Sequence, residues 1–354
     1  MLPLPILSRP LIAAPMAGGP STPELAVAVS RGGGLGFLAA GYLRAEQLGE
    51  QLALARALAP GEPLGVNLFV PRRVNCATHR LDEAELHTRA SAVTAFAQSM
   101  QRAGLATADP STLSPDDDDD WDAKISLLLS EGVELVSFTF GCPERAVLDA
   151  FHAAGIPTAV TVTDEIEAVR ARAVGASALV VQGTEAGGHR GTHREAKHPN
   201  GRTSAELLRA ILPLAGERPV IVAGGIARRR HVRGMLEAGA WAVQLGTALL
   251  LADEAGTHPV HRAALESERF NETVLTRAFS GRWARSLKNE FLDQFSEAPA
   301  AYPEVNQLTA PMKAAARERG DGEHLHLWAG TEWRRSRAEP AARILHRLDP
   351  GSRP

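Results

Sequence analysis

The segment Gln182-Gly183-Thr184-Glu185-Ala186-Gly187-Gly188-His189-Arg190-Gly191 concentrates more potential chemistry than any other stretch of the chain. His189 is its one histidine, and the flanking glycines leave it little packing of its own, which disfavours the reading of a satisfied core histidine. A neutral imidazole, whose unperturbed pKa is about 6.5, suits abstraction of a proton from a carbon acid beside an electron-withdrawing group. His193 at i+4 and His198 beyond it offer a rival, a metal pair. No H-E-x-x-H helix accompanies them, and glycine loops hold metal ligands poorly, so no metal site is expected.

Two further segments pair glycine with a following helix: Gly224-Gly225-Ile226, leading into a helix near Arg228, and Gln244-Leu245-Gly246-Thr247-Ala248. Glycine lets backbone N–H groups approach an anion, and a helix N-terminus adds unsatisfied donors and a positive dipole end. Each motif alone is also explained by a tight turn; together they favour a phosphate-bearing ligand. Asn67 and Gln182 each donate and accept, which the edge of an isoalloxazine ring demands, although each could equally cap a loop. A phosphate site with ring-edge amides makes FMN a natural ligand. The acid run Asp116 to Asp120 reads as a solvated loop that starts a helix at Trp121, because like charges without a turn glycine make a poor Ca²⁺ or Mg²⁺ site.

These groups need a scaffold that brings strand ends together. Near-continuous apolar runs occur at Leu11–Ala17, Leu35–Ala40, Leu64–Val70, Glu134–Phe140, Pro157–Val162, Ala178–Gln182, Pro219–Ala223 and Ala242–Leu245. Amphipathic helical segments follow them, as at Ser21-Thr22-Pro23-Glu24 and from Thr163-Asp164-Glu165 to Gly175. Buried parallel strands alternating with helices predict a (β/α)₈ TIM barrel, in which the chemistry sits in the loops after the strands. The barrel is expected over 1–250, with an insertion at about 71–130. A helical lid or lateral region is expected at 251–345 and a frayed tail at 346–354. His79, His87 and His231 read as exposed.

Composition sets aside several function classes. Lys+Arg number 38 against 41 Asp+Glu, a net charge of −3, which gives no basic excess for nucleic acid. No uncharged apolar run reaches transmembrane length. Two cysteines, Cys76 and Cys142, form no disulfide framework or C-x-x-C pair and fit a reducing cytoplasm. Met1 to Ala17 is apolar, but its four prolines, Arg9 and missing basic start argue against a signal peptide.

Seven segments of the chain resemble the nitronate monooxygenases, class I branch. The likeness runs through Ala14-Pro15-Met16-Ala17-Gly18-Gly19, Gly65-Val66-Asn67-Leu68-Phe69, Ser137-Phe138-Thr139-Phe140-Gly141, the His189 loop, Ala223-Gly224-Gly225-Ile226, Gln244-Leu245-Gly246-Thr247 and Arg277-Ala278-Phe279-Ser280-Gly281-Arg282. It implies an FMN-containing barrel that oxidises alkyl nitronates of the propionate 3-nitronate type with O₂ through a flavosemiquinone. Carried over, the cofactor residues are Pro15, Met16, Asn67, Gln182, Gly187, Gly188, Gly224, Gly225, Gln244, Leu245, Gly246 and Thr247. His189 is the catalytic residue; on a nitronate, already a carbanion, its part is binding and electrostatics more than proton abstraction. Thr139, Ser280 and Tyr302 are candidates for the substrate side. Many class I members have histidine at the position of Thr139, and a neutral hydroxyl there weakens the case for propionate 3-nitronate itself. The expected partners are a small nitronate and O₂, with the protein a monomer or homodimer. Two other functions stay open: an FMN-dependent enoyl-acyl-carrier-protein reductase, and a non-redox barrel lyase or isomerase with a phosphate ligand.

Overall fold

The computed structural model describes residues 2–78 and 81–351. Eight parallel strands form its main sheet: β1 (Leu11–Ala13), β2 (Gly36–Ala39), β3 (Leu64–Phe69), β4 (Leu135–Thr139), β5 (Thr158–Val162), β6 (Ala178–Gln182), β8 (Val220–Ala223) and β9 (Ala242–Leu245), with β7 (Gly188–His189) lying outside it. Their order is β1-β9-β8-β6-β5-β4-β3-β2, and a parallel bridge between Ile12 and Leu35 joins the first strand to the second. The (β/α)₈ barrel expected from the apolar runs is therefore the fold. Strand ends fall within a residue or two of the predicted ones except in β1, which leaves the ladder before Pro15, a residue with no N–H to donate.

The strands are apolar on both faces because each has two cores to fill. Ile12, Phe37, Leu135, Ala159, Val180 and Ile221 pack inside the barrel. Leu38, Val66, Val136, Val160, Val181 and Val222 pack outward against the helices. Local signals set those helices as predicted. Thr22 caps Pro23–Arg31 by accepting from Leu25 N at 3.0 Å. Asp164 caps Glu165–Val174, and Gly175 ends that helix in the left-handed region.

The eighth helix of the layer departs from expectation. Thr247–Leu249 is one 3₁₀ turn instead of a helix, since Gly256 and Pro259 soon interrupt the chain. The vacant place is taken by Ala341–Leu348, whose Ile344, Leu345 and Leu348 pack with Leu11, Val29, Val232 and Val243. Residues 346–348 thus belong to a buried helix and are not the start of a tail; 352–354 lie outside the described residues. The amphipathic pattern of a short terminal helix identifies an apolar face but not the distant elements that cover it.

The insertion also needs new limits. Trp121–Glu131 is the barrel's own crossover helix, with Trp121 and Leu128 in the outer core, so the added segment ends near 120. Its long helix, Glu83–Arg102, packs Val93, Phe96 and Met100 on Phe279, Phe291 and Phe295 of the C-terminal region. That region is not wholly helical. It contributes β10 (Thr273–Thr276) and β11 (Ala284–Leu287), which form an antiparallel sheet in the order β10-β11-β7. The acid run starts the helix at Trp121 as predicted, but it is more than a solvated loop. Asp118 pairs with Arg73 at 2.8 Å, Asp119 with Lys124 at 2.8 Å, and Asp120 accepts from Ala45 N at 2.7 Å. His87 is exposed, His79 lies outside the described residues, and His231 is half-buried.

Candidate active site

The C-terminal ends of the barrel strands surround a cavity of about 580 Å³, a size ordinary for a cofactor or small ligand. On its wall are Pro15, Met16, Asn67, Thr139, Gln182, Gly187, Gly188, His189, Gly224, Gly225, Gln244, Gly246 and Thr247. Residues far apart in sequence converge there because every parallel strand delivers its C-terminal end to the same side. Three predicted residues stand behind the wall. The Leu245 side chain packs in the outer core. Ser280 and Tyr302 contact His189.

His189 is better packed than its glycine neighbours suggest. The strand β7 pairs with β11, with Ala284 opposite His189 and Arg285 opposite Gly188. Arg190, fully buried, donates to Gln182 O at 3.0 Å and to Gly183 O, closing the base of the loop. Gln182 braces the same loop, its Nε2 donating to His189 O at 3.0 Å and its Oε1 accepting from Gly191 N at 2.8 Å. The amide therefore caps the loop while bordering the cavity. The imidazole sits among the rings of Phe140, Tyr302 and Trp328, with centroids 5.5, 6.3 and 5.2 Å away. Its Nε2 lies 2.8 Å from Ser280 Oγ. Loss of water, helped by the nearby charges of Arg282 and Lys313, pushes its pKa down to about 3, so the ring is neutral at physiological pH.

His193 and His198 do not join His189. His193 is buried with Nε2 2.9 Å from Thr161 O, and the His198 ring packs on Trp283 at 4.9 Å. On another wall of the cavity, Asn67 Nδ2 donates to Ser137 Oγ at 2.8 Å and Thr139 Oγ1 at 3.0 Å. The acceptor end of Asn67 and the hydroxyl of Thr139 thus belong to one polar patch.

The glycine turns after β8 and β9 provide the donor side. Gly224 and Gly225 have φ of 108° and 71°, the left-handed region in which a side chain would be strained. The N–H groups of Gly225, Ile226 and Gly246 donate to no acceptor among the described residues. The helix Arg229–Glu237 follows directly. The ring nitrogen Nδ1 of His231 lies 2.9 Å from Gly225 O and holds the turn from behind, a role its polar sequence context conceals. Thr247 Oγ1 accepts from Gly330 N at 2.9 Å, which ties this wall to the C-terminal region. Unpaired N–H groups beside glycine turns fit a phosphate.

Several site residues have no role legible in the sequence, although Arg282 ends one of the segments that carry the family likeness. Arg282 is buried with its guanidinium 4.2 Å from the centre of the Phe140 ring, and its Nη1 donates to Thr192 O at 2.7 Å. Lys313, on the helix Ala310–Arg319, lines the cavity, donates to Asn306 Oδ1 at 2.9 Å, and is pushed down to about 7 by burial and by Arg317. His261 and His326 lie in the same wall, each with a buried ring nitrogen that lacks a partner among the described residues. A lysine in an Ala/Arg/Glu-rich helix reads as surface, and nothing in its spacing reveals the cavity it meets.

The family model described as nitronate monooxygenase matches residues 4–349. A probable nitronate monooxygenase of Staphylococcus aureus (strain Newman) is 32% identical over 345 residues, covering 97% of this chain and 94% of that protein. Among solved structures, a nitroalkane oxidase from Streptomyces ansochromogenes is 41% identical with a TM-score of 0.86, covering 97% and 95% of the two chains. FabK from Thermotoga maritima, at 23% identity and a TM-score of 0.71 over 97% of this chain and 92% of that one, shares the fold. Among the described residues no helix is long and apolar enough to cross a membrane. The chain belongs to the nitronate monooxygenase family and is, with it, a flavin-dependent oxidoreductase.

Proposed function

We infer that the protein is an FMN-dependent nitronate monooxygenase that oxidises alkyl nitronates with O₂. The observation that carries this reading is a neutral histidine, anchored by Ser280, in the same cavity wall as a set of unpaired backbone donors. Those residues fit FMN: Gly224, Gly225, Gly246 and Thr247 would hold the phosphate, and Asn67, Gln182 and Gln244 would border the ring, with Pro15 and Met16 at its side. When bound, FMN would supply the acceptor for the substrate's electrons and their delivery to O₂.

The protein's own part is to bind and orient. A base held near pKa 3 is poorly matched to taking a proton from a neutral nitroalkane. It is well suited to a hydrogen bond with a nitronate that has already lost that proton. Arg282 and Lys313 make the surroundings of His189 positive, which favours an anion there. Phe140, Tyr302 and Trp328 crowd the ring and keep bulk water from competing. Thr139, beside Asn67, would set part of the substrate's contacts.

Anaerobic titration of the FMN-loaded protein with propionate 3-nitronate tests the reading. The expected result is a change in the flavin spectrum with nitronate and none of comparable rate with NADH. Rapid bleaching by NADH with no response to nitronate would assign an enoyl reductase instead. Protein that stays colourless with added FMN would end the FMN assignment.

A further inference from the structure

Cys76 and Cys142, distant in sequence, stand side by side at the mouth of the barrel. Cys76 follows the 3₁₀ turn Arg72–Val74, at the start of the insertion, and Cys142 follows the end of β4. The Cys76 N–H donates to Cys142 O at 3.0 Å. Between them lies buried Asn75, whose Oδ1 accepts from Ala77 N at 3.0 Å and Cys142 N at 3.2 Å. Its Nδ2 donates to Phe140 O at 3.1 Å and His193 O at 2.8 Å. One side chain thus stitches the two segments in fixed register. The backbone hydrogen bond between the two residues brings their main chains close, and a disulfide bridges Cα atoms about 4.4–6.8 Å apart.

The side chains of the two cysteines interact and differ in exposure: Cys76 is exposed and Cys142 is buried. The contact with Cys142, aided by the charge of Arg170, outweighs partial burial and brings the Cys76 thiol down to about 7. The same contact and burial push Cys142 up. An accessible, readily ionised thiol therefore has a protonated thiol beside it, the arrangement of an attacking and a resolving cysteine.

We propose that Cys76 and Cys142 form a reversible disulfide when the protein meets a low-molecular-weight disulfide, locking the start of the insertion to the end of β4 beside the cavity. The Cys76 thiolate attacks one sulfur of the reagent, forming a mixed disulfide and expelling the first thiolate. Cys142 then loses its proton and attacks Cys76 Sγ, expelling the second thiolate. Two protein thiols are oxidised, and one disulfide is reduced to two thiols. The bridge acts close to the reacting groups, because Phe140, two residues before Cys142, holds φ at 75° with its ring between His189 and Arg282.

The test treats the native full-length protein with oxidised glutathione, quenches with acid, alkylates remaining thiols and maps the peptides by mass. The expected result is a transient glutathione adduct on Cys76, followed by a Cys76–Cys142 cross-link with no glutathione retained and both thiols recovered with dithiothreitol. Cys142→Ser should stop at the adduct on Cys76, and Cys76→Ser should leave Cys142 unmodified. A wild-type protein that ends as a stable adduct with Cys142 still alkylatable, or that does not react, overturns the proposal. So does first reaction at Cys142. The wild-type time course decides alone if a variant does not fold. Amide exchange across 72–78 and 140–144 should slow in the oxidised form; unchanged exchange would refute the lock.

Discussion

The Nε2 of His189 lies 2.8 Å from Ser280 Oγ, a contact between the loop after β6 and a turn more than ninety residues later. Ser280 is itself fixed, its hydroxyl 3.2 Å from Arg282 O and 3.3 Å from Arg282 N. The hydroxyl therefore fixes one edge of the imidazole and leaves the other to face a ligand. Ser280→Ala removes one neutral hydrogen bond, about 1 kcal/mol or roughly a five-fold loss in kcat/KM on a nitronate. Flavin content should not change. Steady-state kinetics with an absorbance ratio for bound flavin checks both, and unchanged kinetics would remove the anchoring role.

Substituting the histidine separates its two possible duties. His189→Asn should cost the pre-formed nitronate about ten-fold from a lost hydrogen bond to an anion, and neutral nitroethane no more than that, because a base held near pKa 3 takes its proton poorly. FMN should remain bound. A far larger loss on nitroethane than on the nitronate would show that His189 also acts as a base.

The response to pH follows from Lys313, which burial brings down to about 7. Below that value its ammonium attracts an anionic substrate; raising pH through 7 neutralises it, so KM for a nitronate should rise across pH 6.5–8 at nearly constant kcat. Lys313→Met should have a high KM throughout and a flatter profile. Retention of the wild-type slope in the variant would assign the titration elsewhere.

Gly187 offers a steric test of the cavity floor. A Cβ there would come 2.5 Å from Gly330 N and 2.6 Å from the Ala329 carbonyl carbon, backbone atoms that cannot swing aside. Gly187→Ala should cost about 1–3 kcal/mol of stability. It should also weaken flavin retention, because Gly330 is tied to Thr247. Thermal unfolding with and without added FMN measures the two effects, and a wild-type melting temperature in both would refute the contact.

Leu345 is fully buried on the terminal helix, against the start of the barrel. Leu345→Ala should destabilise the protein by about 2–5 kcal/mol, the range for a leucine cavity. Urea unfolding reads it directly; a loss below about 1 kcal/mol would show that this helix is dispensable to the barrel.

The barrel was legible because parallel strands covered on both faces need unbroken apolar runs, and these survive in a single sequence. The glycine turns at 224–225 and 246 were legible because only glycine combines close backbone approach with left-handed φ. His189 was found by its setting, but its aromatic neighbours were not. Phe140, Tyr302 and Trp328 come from three separate segments, and the short pairing of β7 with β11 that presents the ring carries no periodic pattern in two residues. Lys313, and the role of Arg282 within its recognised motif, escaped for the opposite reason: charged side chains usually mark surface, and only tertiary packing turns them inward.

The terminal helix that completes the outer layer also sets the order in which the protein can be made. During synthesis β1 emerges before that helix, and the cover of its outer face, begun by Leu25 and Val29, is not complete until residues 341–348 have been translated. Everything between, including the cavity's glycine turns and the sheet that presents His189, must wait beside an unfinished ring. Folding of the catalytic end is thereby tied to translation of residues 341–348, and a ribosome that stops after β9 releases a chain whose first strand still has part of its apolar, aggregation-prone flank uncovered.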